Sequence, residues 1–156
     1  MEDKANLKEY MLKEIDIVQD IIKRMAFNSF MIKGWAITLV VVTLLLKGTK
    51  LQVLIAFIPL LVFWFLDAYF LQLERKYRKL YEWIIEHRLA TDKYLFDMNI
   101  NDKERFANPK YKVHSRFRVM FSITLGWFYG SIAILTAIYI VILFLFQKGK
   151  TRLIIL

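Results

Sequence analysis

Apolar positions dominate three stretches of the chain. The first runs from Ser29 to Leu46 with Lys33 inside it, and the second from Leu51 to about Gln72, interrupted by Pro59 and Asp67. The third runs from Val119 to Gln147, 29 residues without a charge. A helix crosses a bilayer in about 20 residues, so each stretch predicts a transmembrane span. Trp35, Trp64 and Trp127 lie toward span ends, the level that amphipathic rings prefer. Over residues 5–27 the pattern is periodic instead. Leu7, Tyr10, Met11, Ile15, Val18, Ile21, Ile22 and Met25 recur at three- and four-residue spacing. Lys8, Glu9, Lys13, Asp16, Asp20 and Lys23 take the other face, which predicts an amphipathic helix. Its apolar face has two candidate partners, a second inner helix or the membrane surface. The mixed charge favours the helix, because surface-binding helices are rich in Lys and Arg.

Span two has no stop signal at its inner end. Asp67 to His87 contains no Gly or Pro, and Phe70, Leu73, Tyr77, Leu80, Tyr81 and Ile84 continue one stripe. The reading is one helix from about Leu51 to Arg88, roughly 57 Å long by helical rise, with half of it in the cytosol. Glu74 pairs by spacing with Arg78, while Glu82 and Glu86 form a small repulsive defect. Pro59 predicts a kink. The two inner helices should pack together as a stalk. Residues 90–116 hold the turn formers Asn99, Asn101, Asp102, Asn108 and Pro109 and read as a solvated basic connector. The alternative is a contact for anionic lipid headgroups or a phosphate-bearing ligand through Arg105, Lys110, Lys112 and Arg116.

These elements predict an all-α integral membrane protein. Residues 1–28 form the amphipathic cytosolic helix, 29–72 a transmembrane hairpin, and 73–118 the cytosolic extension and connector. Residues 119–147 form the third transmembrane helix and 148–156 a short tail. Composition agrees. Of 156 residues, 58% are hydrophobic, more than a soluble domain hides when it buries only about 70% of its unfolded surface. A single soluble domain with very hydrophobic helices is the competing reading. Zero Cys excludes disulfides and thiolate metal sites, and two His, His87 and His114, supply no zinc site unaided. No metal or cofactor is expected. The first 26 residues are charged throughout, so no cleavable signal peptide is expected.

Charge sets the expected orientation. With three spans, 18 of the 23 Lys and Arg fall in residues 1–33 and 73–118, and five flank the 47–50 turn and the tail. The positive-inside rule then predicts a multi-pass inner-membrane protein with a cytoplasmic N-terminus and an outside C-terminus. Only Lys47-Gly48-Thr49-Lys50 separates spans one and two, which predicts a tight hairpin. In that hairpin Lys33 and Asp67 both lie about 20–24 Å from the turn and meet near the inner boundary. A charge at membrane depth is costly unless paired. The pair either locks the hairpin register or lines a gate.

Span one carries a polar or small stripe at Ser29, Lys33, Ala36, Thr43 and Lys47, within about 80° of arc. Span three carries another at Ser122, Gly126, Tyr129, Gly130, Ala133, Thr136 and Ala137. Gly126 to Gly130 is a small-xxx-small pattern, which lets helix backbones approach closely. Intramolecular packing is its commonest cause. Three spans are too few to surround an aqueous path, so conduction would need several copies.

No P-loop, G-x-G-x-x-G, H-E-x-x-H or G-x-S-x-G occurs, and the chain is not expected to be an enzyme. Phe106, Tyr111 and Phe117 are the aromatics among the basic residues of 103–118. They are too few to predict specific nucleic-acid binding. The blocks Arg24-Met-Ala-Phe-Asn-Ser-Phe-Met-Ile-Lys-Gly-Trp-Ala-Ile-Thr-Leu39 and Phe63-Trp-Phe-Leu-Asp-Ala-Tyr-Phe-Leu-Gln-Leu-Glu-Arg-Lys-Tyr-Arg-Lys-Leu-Tyr81 resemble a widespread group of small bacterial membrane proteins. The architecture is similar to small membrane effectors of anti-phage defence. These include the predicted pore-forming SLATT proteins and the octameric membrane accessory of type VI CRISPR systems. The third span departs from the two-span SLATT pattern. The resemblance implies a homo-oligomeric inner-membrane assembly that depolarises the cell, and it carries over no pore residue. Its expected partners are membrane lipids, further copies of the chain and a cytosolic sensor or effector protein. The competing reading is a membrane anchor that recruits a cytosolic partner through its stalk.

Overall fold

The computed structural model describes residues 2–45 and 55–153. Among them every regular element is helical. Helix α1 spans Glu2–Leu45, α2 Phe57–His87, α3 Arg116–Met120 and α4 Ile123–Leu153, with a 3-10 turn at Pro109–Tyr111. Three helices are long and apolar enough to cross a membrane, at Ala5–Leu45, Phe57–His87 and Ile123–Leu143. The protein itself buries only 22%, 17% and 17% of their most apolar windows. Most of that apolar surface therefore faces outward.

Several boundaries differ from expectation. The amphipathic helix and the first span are one uninterrupted helix, because residues 5–45 contain no Pro and a lone Gly34 costs a helix only about 1 kcal/mol. The second helix starts at Phe57 and places Pro59 in its first turn. The amide missing there has no intrahelical partner in any case, and a helical break falls just before it, with Ile55 helical and Ala56 in a turn. The third long helix starts at Ile123, after a break at Phe121 and Ser122, and runs past Gln147 to Leu153. The 47–50 turn, Lys47 and the expected helix start at Leu51 lie outside the described residues.

The chain divides into two compact units: Met1–Met31 with Ala68–Val119, and Ile32–Asp67 with Met120–Leu156. In the first unit, the inner parts of α1 and α2 meet in a core of Val18, Leu80, Trp83, Ile84 and Tyr111. Met11, Ile15 and Ile22 pack on it from α1, and Met98, Ile100 and Phe106 from the connector. Residues 90–116 are thus a folded cap, not a solvated tether. Side chains that mimic backbone turns hold the cap: Asp97 accepts from the Asn99 amide, Asn99 from Asn101, Asp102 from Glu104 and Arg105, and Asn108 from Lys110.

In the second unit Ile32, Ala36 and Val40 of α1, Ala56 and Leu60 beside and on α2, and Leu125 of α4 are buried. Trp64 stacks on Tyr129 with ring centroids 5.7 Å apart and planes 10° apart. Its Nε1 donates to the Met120 carbonyl at 2.8 Å, satisfying a group that the end of α3 leaves without a helical partner. Trp64 is therefore a packing residue, unlike Trp35 and Trp127, which are 54% and 77% exposed.

Candidate functional site

A polar node joins all three long helices of the second unit. Lys33 Nζ of α1 lies 2.7 Å from Asp67 Oδ2 of α2. The Tyr129 hydroxyl of α4 is 3.1 Å from the same oxygen and 3.3 Å from the Phe63 carbonyl. Asp67 is fully buried, and Lys33 keeps 23% of its side chain exposed and passes 5.9 Å from the Phe128 ring. One buried carboxylate thus takes a charge and a hydroxyl from two other helices. Tyr129 was legible only as a member of the span-three stripe. Its signal is general: a buried phenol in an apolar helix usually finds a partner for its hydroxyl.

The stripes themselves separate into different environments. Ser29 is buried in the first unit. Thr43 donates to the Leu39 carbonyl at 2.7 Å, and buried Thr136 to Ile132 at 2.8 Å. Both hydroxyls are spent on the turn below, a habit of threonine in helices. The two stripes therefore do not form continuous polar faces. Ser122, Gly126 and Gly130 are different. They line an open groove of about 360 Å³ on α4 with Trp127, Ser131 and Ile134. A Cβ on Gly126 would come no closer than 4.0 Å, to the Phe121 carbonyl, and one on Gly130 would meet nothing within 4 Å. Intramolecular close packing is thus not what these glycines serve among the described residues.

The four basic residues expected to contact lipid or ligand are not one patch. Arg105 is only 5% exposed, with its guanidinium 4.1 Å above the Trp83 ring and Nη1 donating to the Asp97 carbonyl at 2.6 Å. Its Nε and Nη2 are buried without a hydrogen-bond partner, and burial pulls its pKa down. A stacked, buried guanidinium presents little of itself to a headgroup. Lys110 pairs with Glu86, and Arg116 lies 4.8 Å from the Tyr69 ring. Lys112 lines a cavity of the first unit.

The first unit also holds a pair that the sequence reading missed. Arg88 and Glu14 are fully buried and joined by two bonds of 2.5 and 2.8 Å. Arg88 also donates to the carbonyls of Thr91, Lys93 and Tyr94, so every guanidinium N–H is used. Glu14 accepts from the Phe96 amide at 2.7 Å. This lock holds Tyr94 and Phe96 at φ of 61° and 55°, a region that costs a residue with a side chain about 1–3 kcal/mol. The available signal was Glu14 itself, an acidic residue at helical spacing between Met11 and Val18. Glu86, read as half of a repulsive pair, instead accepts from Lys110 and from the Tyr111 hydroxyl at 2.6 Å. Glu82 pairs with Lys79 at 2.7 Å.

Among the described residues no group of three or more His, Asp or Glu could hold a metal ion. No known protein family, curated protein or solved structure matches the chain.

Proposed function

We propose that this chain is a multi-pass membrane protein that assembles as a homo-oligomer and permeabilises or depolarises the membrane. Its three long helices carry outward-facing apolar surface that hydrocarbon would cover. The observation that carries the oligomer is the Gly126–Gly130 face of α4, with Ser122 just before the helix. It is open, a Cβ at either glycine would meet no other long helix within 4 Å among the described residues, and it has the small side chains over which membrane helices approach closely. Three spans enclose no aqueous path, so permeation follows from assembly. The Lys33–Asp67–Tyr129 node serves as the register lock within each copy, not as the conducting surface. A setting in bacterial anti-phage defence rests on the architectural resemblance to small defence effectors alone.

Reconstitution in liposomes tests the proposal. Ion or dye flux from oligomeric fractions, lost when Gly126 and Gly130 are replaced by Ile, is the expected result. A monomer in mild detergent and in liposomes, with no flux, would end the proposal. One observation favours the anchor reading as runner-up: the first unit has its own core and its own buried ion pair, as a recruiting module needs. Capture of the same cytosolic protein by liposomes that pass no ions would select it.

A further inference from the structure

We propose that the cavity between α2 and the connector is a binding site for a phosphate-bearing ligand with an apolar or flat portion. The cavity lies wholly in the first unit and measures about 350 Å³, within the range of small-ligand sites. Lys76 and Lys79, one helical turn apart on α2, line one side, and Lys103 and Lys112 of the connector line another. Four ammonium groups on one cavity repel each other unless an anion joins them.

The carboxylates nearby offset only part of this charge. Asp102 is the only acidic residue in the lining, and its Oδ1 is occupied by the amides of Glu104 and Arg105. Glu82 holds Lys79 alone. Lys76 bonds the neutral Asn101 Oδ1 at 2.7 Å, and among the described residues Lys76, Lys103 and Lys112 form no ion pair. Lysine approaches as a point charge from any direction, which suits the several oxygens of a phosphate, whereas the planar fork of arginine suits a carboxylate. Ile100, Phe106 and Tyr111 supply the apolar wall, and Tyr111 is fixed by Glu86 while Phe106 meets it edge-on at 6.1 Å. The cap that shapes the cavity is stiffened by its side-chain turns, which fix the backbone that carries Lys103 and Lys112. Oriented charge and an apolar wall together select a phosphate ester over a bare inorganic ion.

A soluble phosphate ester and a lipid headgroup share this chemistry, and one experiment separates them. The full chain is purified in neutral detergent and titrated with ATP, and in parallel placed in nanodiscs of phosphatidylcholine, with or without phosphatidylglycerol. Binding and melting temperature are read for the native chain, for Lys103→Gln/Lys112→Gln, and for Lys8→Gln/Lys23→Gln as a charge-matched control outside the cavity. Both cavity substitutions fall on exposed positions, so the variant should fold. Loss of two charged hydrogen bonds should weaken binding at least about tenfold. ATP binding that follows the cavity lysines assigns a soluble ester. Stabilisation by phosphatidylglycerol that follows them, without ATP binding, assigns a headgroup. No response to either probe, or equal loss in the control, overturns the proposal.

Discussion

At the scale of single residues, two ion pairs carry most of what is specific. Removing one member of a buried pair leaves an unpaired charge and costs about 3–5 kcal/mol. Arg88→Met should therefore lower the melting temperature sharply, and Glu14→Gln less, since a glutamine still accepts from the Phe96 amide. Thermal melts in detergent followed by circular dichroism check the order. For the membrane node, Lys33→Met removes the cation that faces the fully buried Asp67 carboxylate. Asp67→Asn leaves a lysine that is part exposed and able to extend to water. The lysine substitution should be the more damaging, and the double variant should recover about 0.5–3 kcal/mol over the sum of the singles. Additive losses would mean that the pair does not act as a lock. A third prediction concerns pH. Burial and the Glu86 carboxylate push the Tyr111 hydroxyl up to about 12 from its ordinary 10.0. A raised folded pKa means stability present in full below pH 10.0 and lost as pH climbs toward 12. The Lys110 and Tyr111 donors hold Glu86 below 4.5, so its share is present above that pH and lost on acidification. Tyr111→Phe should flatten the alkaline loss, as read by melts across pH.

At the scale of elements, α4 presents two unlike faces. Tyr129 and Thr136 turn inward, whereas Ser122, Gly126 and Gly130 border open space. Gly130→Ala should leave the fold intact, because the added methyl meets nothing within 4 Å. It should also stabilise the helix by about 1 kcal/mol. Gly126→Ile/Gly130→Ile should leave the monomer's helicity unchanged and shift sedimentation of the detergent complex toward single copies. An unchanged complex would place the interface elsewhere. The helices were legible in the sequence because long apolar runs and three-four spacing are strong local signals. Their ends were not: the join at residues 23–33 and the start at Phe57 depend on which breakers are missing or harmless, as Pro59 illustrates. Lys33 and Asp67 were legible as a pair because charges stand out in apolar runs. The connector was not, since Tyr94, Met98, Ile100, Phe106 and Tyr111 follow no period and are placed by turns and by an arginine 74 positions from its carboxylate. Lys76 and Lys79 read as ordinary surface positions of a helix until the cap folded over them.

At the scale of the whole molecule, charge distribution and span count make one claim that side-chain geometry does not. Three crossings would put residues 1–33 and 73–118 on one side, and they hold 18 of the 23 Lys and Arg. Lys and Arg near span ends resist translocation, so that side should be the cytosol. The opposing charges are few but lie next to the spans, where the rule counts them most, so the margin rests on numbers and not on an empty outer face. The phosphate cavity depends on this orientation for its supply, since nucleotides are cytosolic while headgroups are present on both sides. The chain contains no Cys, so a single introduced thiol reports position without background. Ser115→Cys should be labelled by an impermeant maleimide only after the cells are opened, and Lys150→Cys in intact cells. The reverse pattern would put the first unit outside, removing both the cytosolic stalk and any nucleotide from its reach. Labelling of both sites in intact cells would mean that the spans number two. An even number of crossings would also leave α4 without its hydrocarbon cover and turn its exposed apolar residues into the least stable surface of the protein.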